Sequence, residues 1–206
     1  TLEKTRTAAE WGADGALIVV PYYNKPTQKG LIEHFKYVAK NSDIPIVLYN
    51  VPGRTITSMS DETILELSEI KNICGLKEAS GNIEFDKLLK QKLRKDFYFL
   101  SGDDGTYIDF LKIGGSGIIS VMSNLIAQQT VHWTDWMLSG SVEKAKSSFD
   151  EFKKLIDAMY VESNPIPIKW MLYKKGIIKS PETRLPLTTL DEKHHQMILS
   201  LMKQVE

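Results

Sequence analysis

Ile73-Cys74-Gly75-Leu76-Lys77-Glu78-Ala79-Ser80-Gly81 is an apolar run that reaches a lysine and then passes into a small polar turn. Such continuous runs are typical of parallel strands, because these strands are covered on both faces. Four more runs share this character, at residues 16–20, 44–49, 97–100 and 117–121. Segments with helical spacing of apolar residues lie between them. The repeated strand–helix order predicts an α/β fold with a parallel sheet.

The positions of the polar side chains favour a barrel over a doubly wound sheet. A nucleotide-binding doubly wound sheet carries a glycine-rich turn after its first strand. Here the glycine cluster, residues 114–117, comes before a strand instead. Tyr23, Tyr49, Lys77 and Asp103 follow different strands, as active-site residues do in a (β/α)8 barrel. A barrel needs eight strands and the sequence supplies five, so we expect strands 4–8, with the first three missing from this chain.

The chain is expected to divide near residue 140. Residues 1–140 contain the strand–helix units and form the partial barrel. Residues 141–206 contain no further β-rich run and show only helical periodicity, at residues 142–160, 165–173 and 192–205. We therefore predict a C-terminal region of three helices.

Composition narrows the function classes. The 26 basic residues balance the 26 acidic ones, so no global field favours nucleic acid. No apolar run approaches the roughly 20 residues of a membrane helix. Cys74 is the single cysteine, so no internal disulfide can form, which favours a reducing, cytoplasmic location. The four histidines lack metal-ligand spacing, and we expect no metal site.

Lys77 is the candidate nucleophile. It ends an apolar strand, so its aliphatic stem is expected to be packed and its amine to point towards the barrel mouth. Partial burial lowers the pKa of a lysine, and the neutral amine can attack a carbonyl carbon. The alternative is a structural lysine that caps carbonyls or pairs with Glu78.

Two further residues favour the catalytic interpretation. Tyr49 ends the preceding strand, where a phenol can carry protons to and from a forming imine. Arg54 follows the Pro52–Gly53 turn and can bind a carboxylate with two hydrogen bonds. An amine, a proton carrier and a carboxylate-binding group together suit a 2-oxo acid such as pyruvate.

Five segments carry a resemblance to a known family. The sequence resembles dihydrodipicolinate synthase, a member of the N-acetylneuraminate lyase superfamily, along essentially its whole length and over the C-terminal two-thirds of that enzyme. The segments are Pro21-Tyr22-Tyr23-Asn24-Lys25-Pro26, Tyr49-Asn50-Val51-Pro52-Gly53-Arg54-Thr55, Gly75-Leu76-Lys77-Glu78-Ala79-Ser80-Gly81, Leu100-Ser101-Gly102-Asp103-Asp104 and Asn164-Pro165-Ile166-Pro167-Ile168-Lys169.

The resemblance implies a lyase of lysine and diaminopimelate biosynthesis that needs no cofactor. Lys77 would form a Schiff base with pyruvate, and the enamine would attack aspartate 4-semialdehyde to give 4-hydroxy-tetrahydrodipicolinate. Tyr49 would relay protons and Arg54 would bind a substrate carboxylate. Tyr23 would act in a neighbouring subunit's site. The partners would be the two substrates and other copies of the chain, in a homodimer or homotetramer.

The resemblance also assigns two residues to the pocket lining and leaves two alternatives. Gly102 and Ile119 match positions that line the pocket near the lysine. The family's second strand ends in a Gly-Thr-Thr-Gly-Glu segment that supplies relay hydroxyls, and this sequence has none. One alternative is another pyruvate-dependent lyase, such as an N-acetylneuraminate or keto-deoxy-sugar aldolase. The other is a catalytically inactive remnant that acts as an assembly or regulatory partner.

Overall fold

The computed structural model describes residues 1–205 and contains one parallel sheet of five strands. The strands follow one another in chain order, each hydrogen-bonded to the next. This order agrees with the predicted succession of strand–helix units. The strands are β1 (Ala16–Val19), β2 (Ile46–Asn50), β3 (Ile73–Glu78), β4 (Tyr98–Ser101) and β5 (Gly117–Ile118).

Helices fill the connections between the strands. The helix Gln28–Lys40 begins after Thr27, whose side chain accepts a hydrogen bond from the Gly30 N–H. The helix Asp61–Ser68 begins after Ser60, whose side chain accepts from the Thr63 N–H. Asn82 opens α5 through the Phe85 N–H. The helices of this part are α1 (Leu2–Glu10), α2 (Gln28–Lys40), α3 (Pro52–Thr55), α4 (Asp61–Ser68), α5 (Ile83–Lys90) and α6 (Tyr107–Lys112).

The core of this part lies between the sheet and its helices. α2 buries Leu31, Phe35 and Val38 at helical spacing, as the apolar pattern predicts. These side chains join buried strand residues such as Leu48 and Phe99 in one cluster. Because this cluster fixes the strands, the residues at their carboxyl ends have defined positions.

β5 is shorter than predicted. The sequence predicts a strand at 117–121, whereas regular pairing with β4 covers Gly117 and Ile118 alone. The Ile119 N–H still donates to the Ser101 carbonyl at 2.9 Å. Val121 already has a helical backbone and a 3-10 helix follows at Met122–Asn124, so the extended run ends earlier than predicted.

The chain divides into two compact units, Thr1–Ile119 and Ser120–Glu206. The helix Ala127–Leu138, called α7, lies within residues 1–140, for which the sequence predicts the partial barrel, but it belongs to the second unit. There Trp133 on α7 is buried, donates to Ser148 Oγ at 3.1 Å and meets the Phe149 and Phe152 rings edge-on. The helices of this unit are α7 (Ala127–Leu138), α8 (Val142–Ala158), α9 (Ile166–Lys174) and α10 (His195–Met202).

The region after residue 141 contains α8, α9 and α10. Within residues 1–205, no helix combines the length and the apolar character that a membrane crossing requires.

Candidate active site

Lys77 and Tyr49 lie side by side at the carboxyl end of the sheet. The β2–β3 register places them opposite each other. The Lys77 amine nitrogen is 4.3 Å from the centroid of the Tyr49 ring. The expected neighbourhood of nucleophile and phenol is therefore present.

Burial changes the chemistry of the Lys77 amine. Desolvation lowers its pKa from the ordinary lysine value, because burial penalises the charged ammonium form. The Asp104 carboxylate opposes this shift and the Arg54 guanidinium adds to it. A larger fraction of the amine is consequently neutral, and only the neutral amine attacks carbonyl carbon.

The alternative pairing of Lys77 with Glu78 is absent from the described residues. Adjacent residues of a strand point to opposite faces, so the two side chains diverge. Glu78 instead accepts hydrogen bonds from the Asn50 side chain and the Ser80 N–H. The lysine is left facing Tyr49.

Tyr49 retains its phenolic proton. Burial raises the pKa of the Tyr49 hydroxyl, and the positive charge of Arg54 offsets part of that rise. A protonated phenol can give a proton to a departing oxygen and take it back in a later step.

Arg54 lies on a short helical turn rather than on the predicted tight turn. α3 spans Pro52–Thr55, with proline at its first position, where a missing N–H has no cost. Thr55 Oγ1 donates to the carbonyls of Val51 and Thr57 and ties down the end of this turn. Arg54 is exposed, yet its charge acts on both Tyr49 and Lys77, so it lies at the edge of their site.

A cleft of about 390 Å³ adjoins Tyr49 and Arg54. Its walls are mainly apolar, apart from the phenol and the guanidinium, and the site is thus suited to a small anion with an apolar part. Its lining residues are Leu17, Val19, Tyr22, Tyr49, Val51, Arg54 and Thr55.

Gly102 packs directly against the stem of Lys77. A Cβ at this position would lie 2.7 Å from Lys77 Cε and 2.7 Å from Ala79 Cβ. Real Cβ atoms do not approach carbon this closely, so the lysine can take its position only because residue 102 has no side chain.

The other two predicted residues lie further out. Tyr23 is in the loop after β1, and 94% of its surface is exposed. Ile119 follows β5, with 40% of its surface exposed. The structure brings together Lys77, Tyr49, Arg54 and Gly102, whereas Tyr23 is almost fully exposed in its loop.

Asn50 and Glu78 form a buried polar pair behind the site. Both lie in the segments that carry the family resemblance, but no role could be assigned to either of them from the sequence. Asn50 Nδ2 donates to Glu78 Oε2 at 2.7 Å, and both residues are almost fully buried. The sequence does carry a signal for this pair. Two apolar strands end in a polar residue, one directly after Tyr49 and one directly after Lys77.

Two more acids near the site were also missed as functional candidates. Asp104 is fully buried, and its charge acts on Lys77. Asp86 on α5 is 2% exposed, and its pKa is raised to about 7, first by burial and then by the charges of Glu78 and Asp103. Within residues 1–205 no three His, Cys, Asp or Glu side chains are grouped to hold a metal ion.

Comparison with known proteins shows the family to which the chain belongs. Residues 1–205 match the Dihydrodipicolinate synthetase family. The chain belongs to this family. Its relatives named 4-hydroxy-tetrahydrodipicolinate synthase include the Bdellovibrio bacteriovorus protein, which is 47% identical over 205 residues, and the Coxiella burnetii proteins, which are 45% identical. These alignments cover 100% of this chain and 70% of each relative.

Solved structures of the dihydrodipicolinate synthetase family have the same fold. The Acinetobacter baumannii dihydrodipicolinate synthase, complexed with pyruvate, superposes with a TM-score of 0.95 at 38% identity and covers 99% of this chain and 70% of that one. The Thermotoga maritima enzyme has a TM-score of 0.95 at 40% identity, with the same coverage. A variant described as monomeric has a TM-score of 0.93. The chain is thus an α/β member of a family of lyases.

Proposed function

We propose that this chain carries the Schiff-base centre of a 4-hydroxy-tetrahydrodipicolinate synthase, which condenses pyruvate with aspartate 4-semialdehyde in lysine biosynthesis. One observation carries the proposal: the partly desolvated Lys77 amine lies 4.3 Å from the Tyr49 ring, at the carboxyl ends of adjacent parallel strands. Family membership and the pyruvate complex of the Acinetobacter baumannii relative support it.

The first half of the reaction uses Lys77 and Tyr49. The neutral amine attacks the ketone carbon of pyruvate and gives a carbinolamine. The Tyr49 phenol donates a proton to the departing hydroxyl, so water leaves and an imine forms. Loss of a methyl proton then gives an enamine, because the protonated imine accepts the electron pair.

The second half forms the carbon–carbon bond. The enamine carbon attacks the aldehyde carbon of aspartate 4-semialdehyde, and the aldehyde oxygen takes a proton to become a hydroxyl. The amino group of the same substrate then attacks the imine carbon and displaces the Lys77 amine. This closes the six-membered ring and returns the free lysine without any cofactor.

Arg54 and the cleft beside it would hold a substrate carboxylate. The guanidinium lines the same cleft as Tyr49 and can donate two parallel hydrogen bonds to a carboxylate. We expect an Arg54→Ala variant to lose turnover of aspartate 4-semialdehyde by about 10–100-fold, while pyruvate trapping on Lys77 changes little, since hydrogen bonds to charged groups are worth about 1.5–3 kcal/mol. Unchanged kcat/KM for the aldehyde would remove this role.

The choice of aldehyde substrate distinguishes related lyases. An N-acetylneuraminate or keto-deoxy-sugar aldolase would turn over a sugar aldehyde with pyruvate. We expect the wild-type protein to use aspartate 4-semialdehyde and not such sugars. A preference for the sugar aldehyde would replace the synthase assignment with the aldolase one.

We further propose the (β/α)8 barrel and assembly that the family resemblance implies. β1 pairs with β2 alone within the described residues, and Leu17 on β1 is exposed. These features suit the fourth strand of an eight-stranded barrel. The nearly complete exposure of Tyr23 suits a side chain that enters a neighbouring subunit's site in a homodimer or homotetramer.

The decisive experiment is the intact mass after pyruvate and borohydride, with Lys77→Met and untreated samples as controls. Borohydride reduces an imine to a stable amine, so a pyruvate adduct mapped to Lys77 is the expected result. A wild-type protein that gains no adduct would contradict the function and would favour the inactive remnant. An adduct that persists in Lys77→Met would place the chemistry on another lysine.

A further inference from the structure

A hydrogen-bonded pair lies directly behind the two reactive side chains. In the β2–β3 register, Tyr49 faces Lys77, and the next step pairs Asn50 with Glu78. Their side chains are joined by the 2.7 Å bond from Asn50 Nδ2 to Glu78 Oε2. Building on the proposed function, we propose that Asn50 and Glu78 are positioning residues that hold Tyr49 and Lys77 in reacting geometry.

The pair joins every segment that carries a reactive group. Glu78 Oε1 accepts from the Ser80 N–H at 2.7 Å, which holds the turn after β3. Asn50 Oδ1 accepts from the Met59 N–H at 3.0 Å, which closes the segment that carries Arg54. The two strand ends and both following segments are thus connected through one side-chain bond.

Backbone bonds alone leave these strand ends less constrained. The Ala79 N–H donates to the Asn50 carbonyl at 2.9 Å, and the Gly102 N–H donates to the Glu78 carbonyl. These bonds fix the spacing of the strands. They do not fix the direction in which the turn after β2 leaves the sheet, and that direction determines where Arg54 lies relative to Lys77.

The pair acts from the opposite face of the sheet and touches no substrate. Residues 49 and 77 are partly exposed, whereas Asn50 and Glu78 are 1% and 2% exposed, as the alternation of a strand requires. Burying a carboxylate costs free energy unless its oxygens are hydrogen-bonded. Both oxygens of Glu78 are hydrogen-bonded at this depth. A pair of apolar side chains would fill the same volume, but it would not fix the direction in which the chain leaves the sheet.

Asn50 is the donor of this side-chain hydrogen bond and Glu78 is the acceptor. Two substitutions that keep the size of each side chain can exchange these roles. In Glu78→Gln, the new amide group would face either the Asn50 amide or the Ser80 N–H, so two donors meet. In Asn50→Asp, two acceptors meet. In the double variant Asn50→Asp/Glu78→Gln, the carboxylate at 50 accepts from the amide at 78. The Met59 and Ser80 N–H groups each keep an acceptor.

Two measurements on the full chain test the role. The first is the rate of borohydride trapping of pyruvate on Lys77. The second needs no substrate: site-resolved acetylation of Lys77 by acetic anhydride across pH, which reports the titration midpoint of its amine. Arg94→Gln is the matched control, because Arg94 donates to the carbonyl of Ile73 at the opposite end of β3 and to that of Ser68 at the end of α4.

We expect each single variant to lower the trapping rate about 10–100-fold, as displacements near 1 Å do. Each single variant should also move the Lys77 midpoint upwards, towards that of a hydrated lysine. The double variant should recover both properties to within about threefold of wild type. Arg94→Gln should lower the melting temperature and leave the trapping rate and the Lys77 midpoint unchanged.

The outcomes separate this inference from the proposed function. Single variants with wild-type trapping and labelling would overturn the positioning role, and so would a double variant that stays as impaired as the single ones. Equal losses in Arg94→Gln would show a general effect of stability and would also overturn it. If the wild type traps no pyruvate but the labelling follows the expected pattern, the function fails and the positioning of Lys77 stands.

Discussion

Replacing Gly102 by alanine should displace Lys77 while leaving the fold intact. The added methyl group would lie 2.7 Å from Lys77 Cε, 3.1 Å from Lys77 Cγ and 2.7 Å from Ala79 Cβ. Non-bonded carbons prefer about 3.5–4.0 Å. Ala79 blocks one side, so the flexible lysine stem has to move by roughly 1 Å.

The displacement should cost much activity and little stability. A misplacement of about 1 Å lowers a rate about 100-fold. Overpacking costs about 1–3 kcal/mol, which is less than the usual 5–15 kcal/mol of folding stability. We therefore expect a folded Gly102→Ala protein in which pyruvate trapping on Lys77 is slowed about 100-fold.

The assay is the trapping rate, measured beside urea unfolding of the same samples. Gly30→Ala is the matched control, since a Cβ on that α2 residue would meet its nearest neighbours at an ordinary 3.5 Å. The control should trap at the wild-type rate and gain about 0.5–1 kcal/mol in stability, because alanine is the better helix former. A Gly102→Ala protein that traps as fast as wild type would refute the packing argument.

Three more predictions concern Asp86, Arg94 and Tyr49. The folded pKa of Asp86, about 7, lies above the unfolded value near 3.8, so its folded form holds the proton more tightly, and stability falls as pH rises from about 4 to 7. Asp86→Asn should remove up to about 4 kcal/mol of this fall, measured as the difference in urea unfolding free energy between pH 4 and pH 8, and equal differences in both proteins would contradict it. Arg94→Gln should lose about 1.5–3 kcal/mol, because charged hydrogen bonds to two backbone carbonyls disappear, and an unchanged melting temperature would count against this. Tyr49→Phe keeps the ring beside the lysine but removes the phenolic proton, so single-turnover imine formation should slow about 10²–10⁴-fold; a wild-type rate would exclude the relay.

Much of the fold could be predicted from the sequence because its signals are local. The apolar spacing of residues 28–40 predicts a helix with these bounds, and the structure has it. Parallel strands in consecutive units put their carboxyl ends at one edge, so the meeting of Tyr49 and Lys77 follows from the order of elements alone. Arg54 was predicted from the Pro52–Gly53 turn that follows β2, although that turn is helical in the structure.

Other features could not be predicted, since they depend on partners far apart in the chain. Asn50 and Glu78 are 28 positions apart, and nothing local indicates that their side chains bond. The same holds for Asp86, whose helix pattern gives no sign that Glu78 and Asp103 lie close by. The close approach of Gly102 to the lysine stem also appears only when β3 and β4 are paired.

The sequence by itself determined the strand–helix order, the strand ends on which Lys77 and Tyr49 lie, and the resemblance to a family of lyases. Tertiary structure alone decided that α7 belongs with the C-terminal helices, that Glu78 bonds to Asn50 rather than to Lys77, and that Asp86 has a pKa of about 7. The physical reason is the distance along the chain over which each of these interactions acts. Hydrophobic periodicity acts over a few residues, whereas desolvation and buried hydrogen bonds arise between elements that meet only after folding.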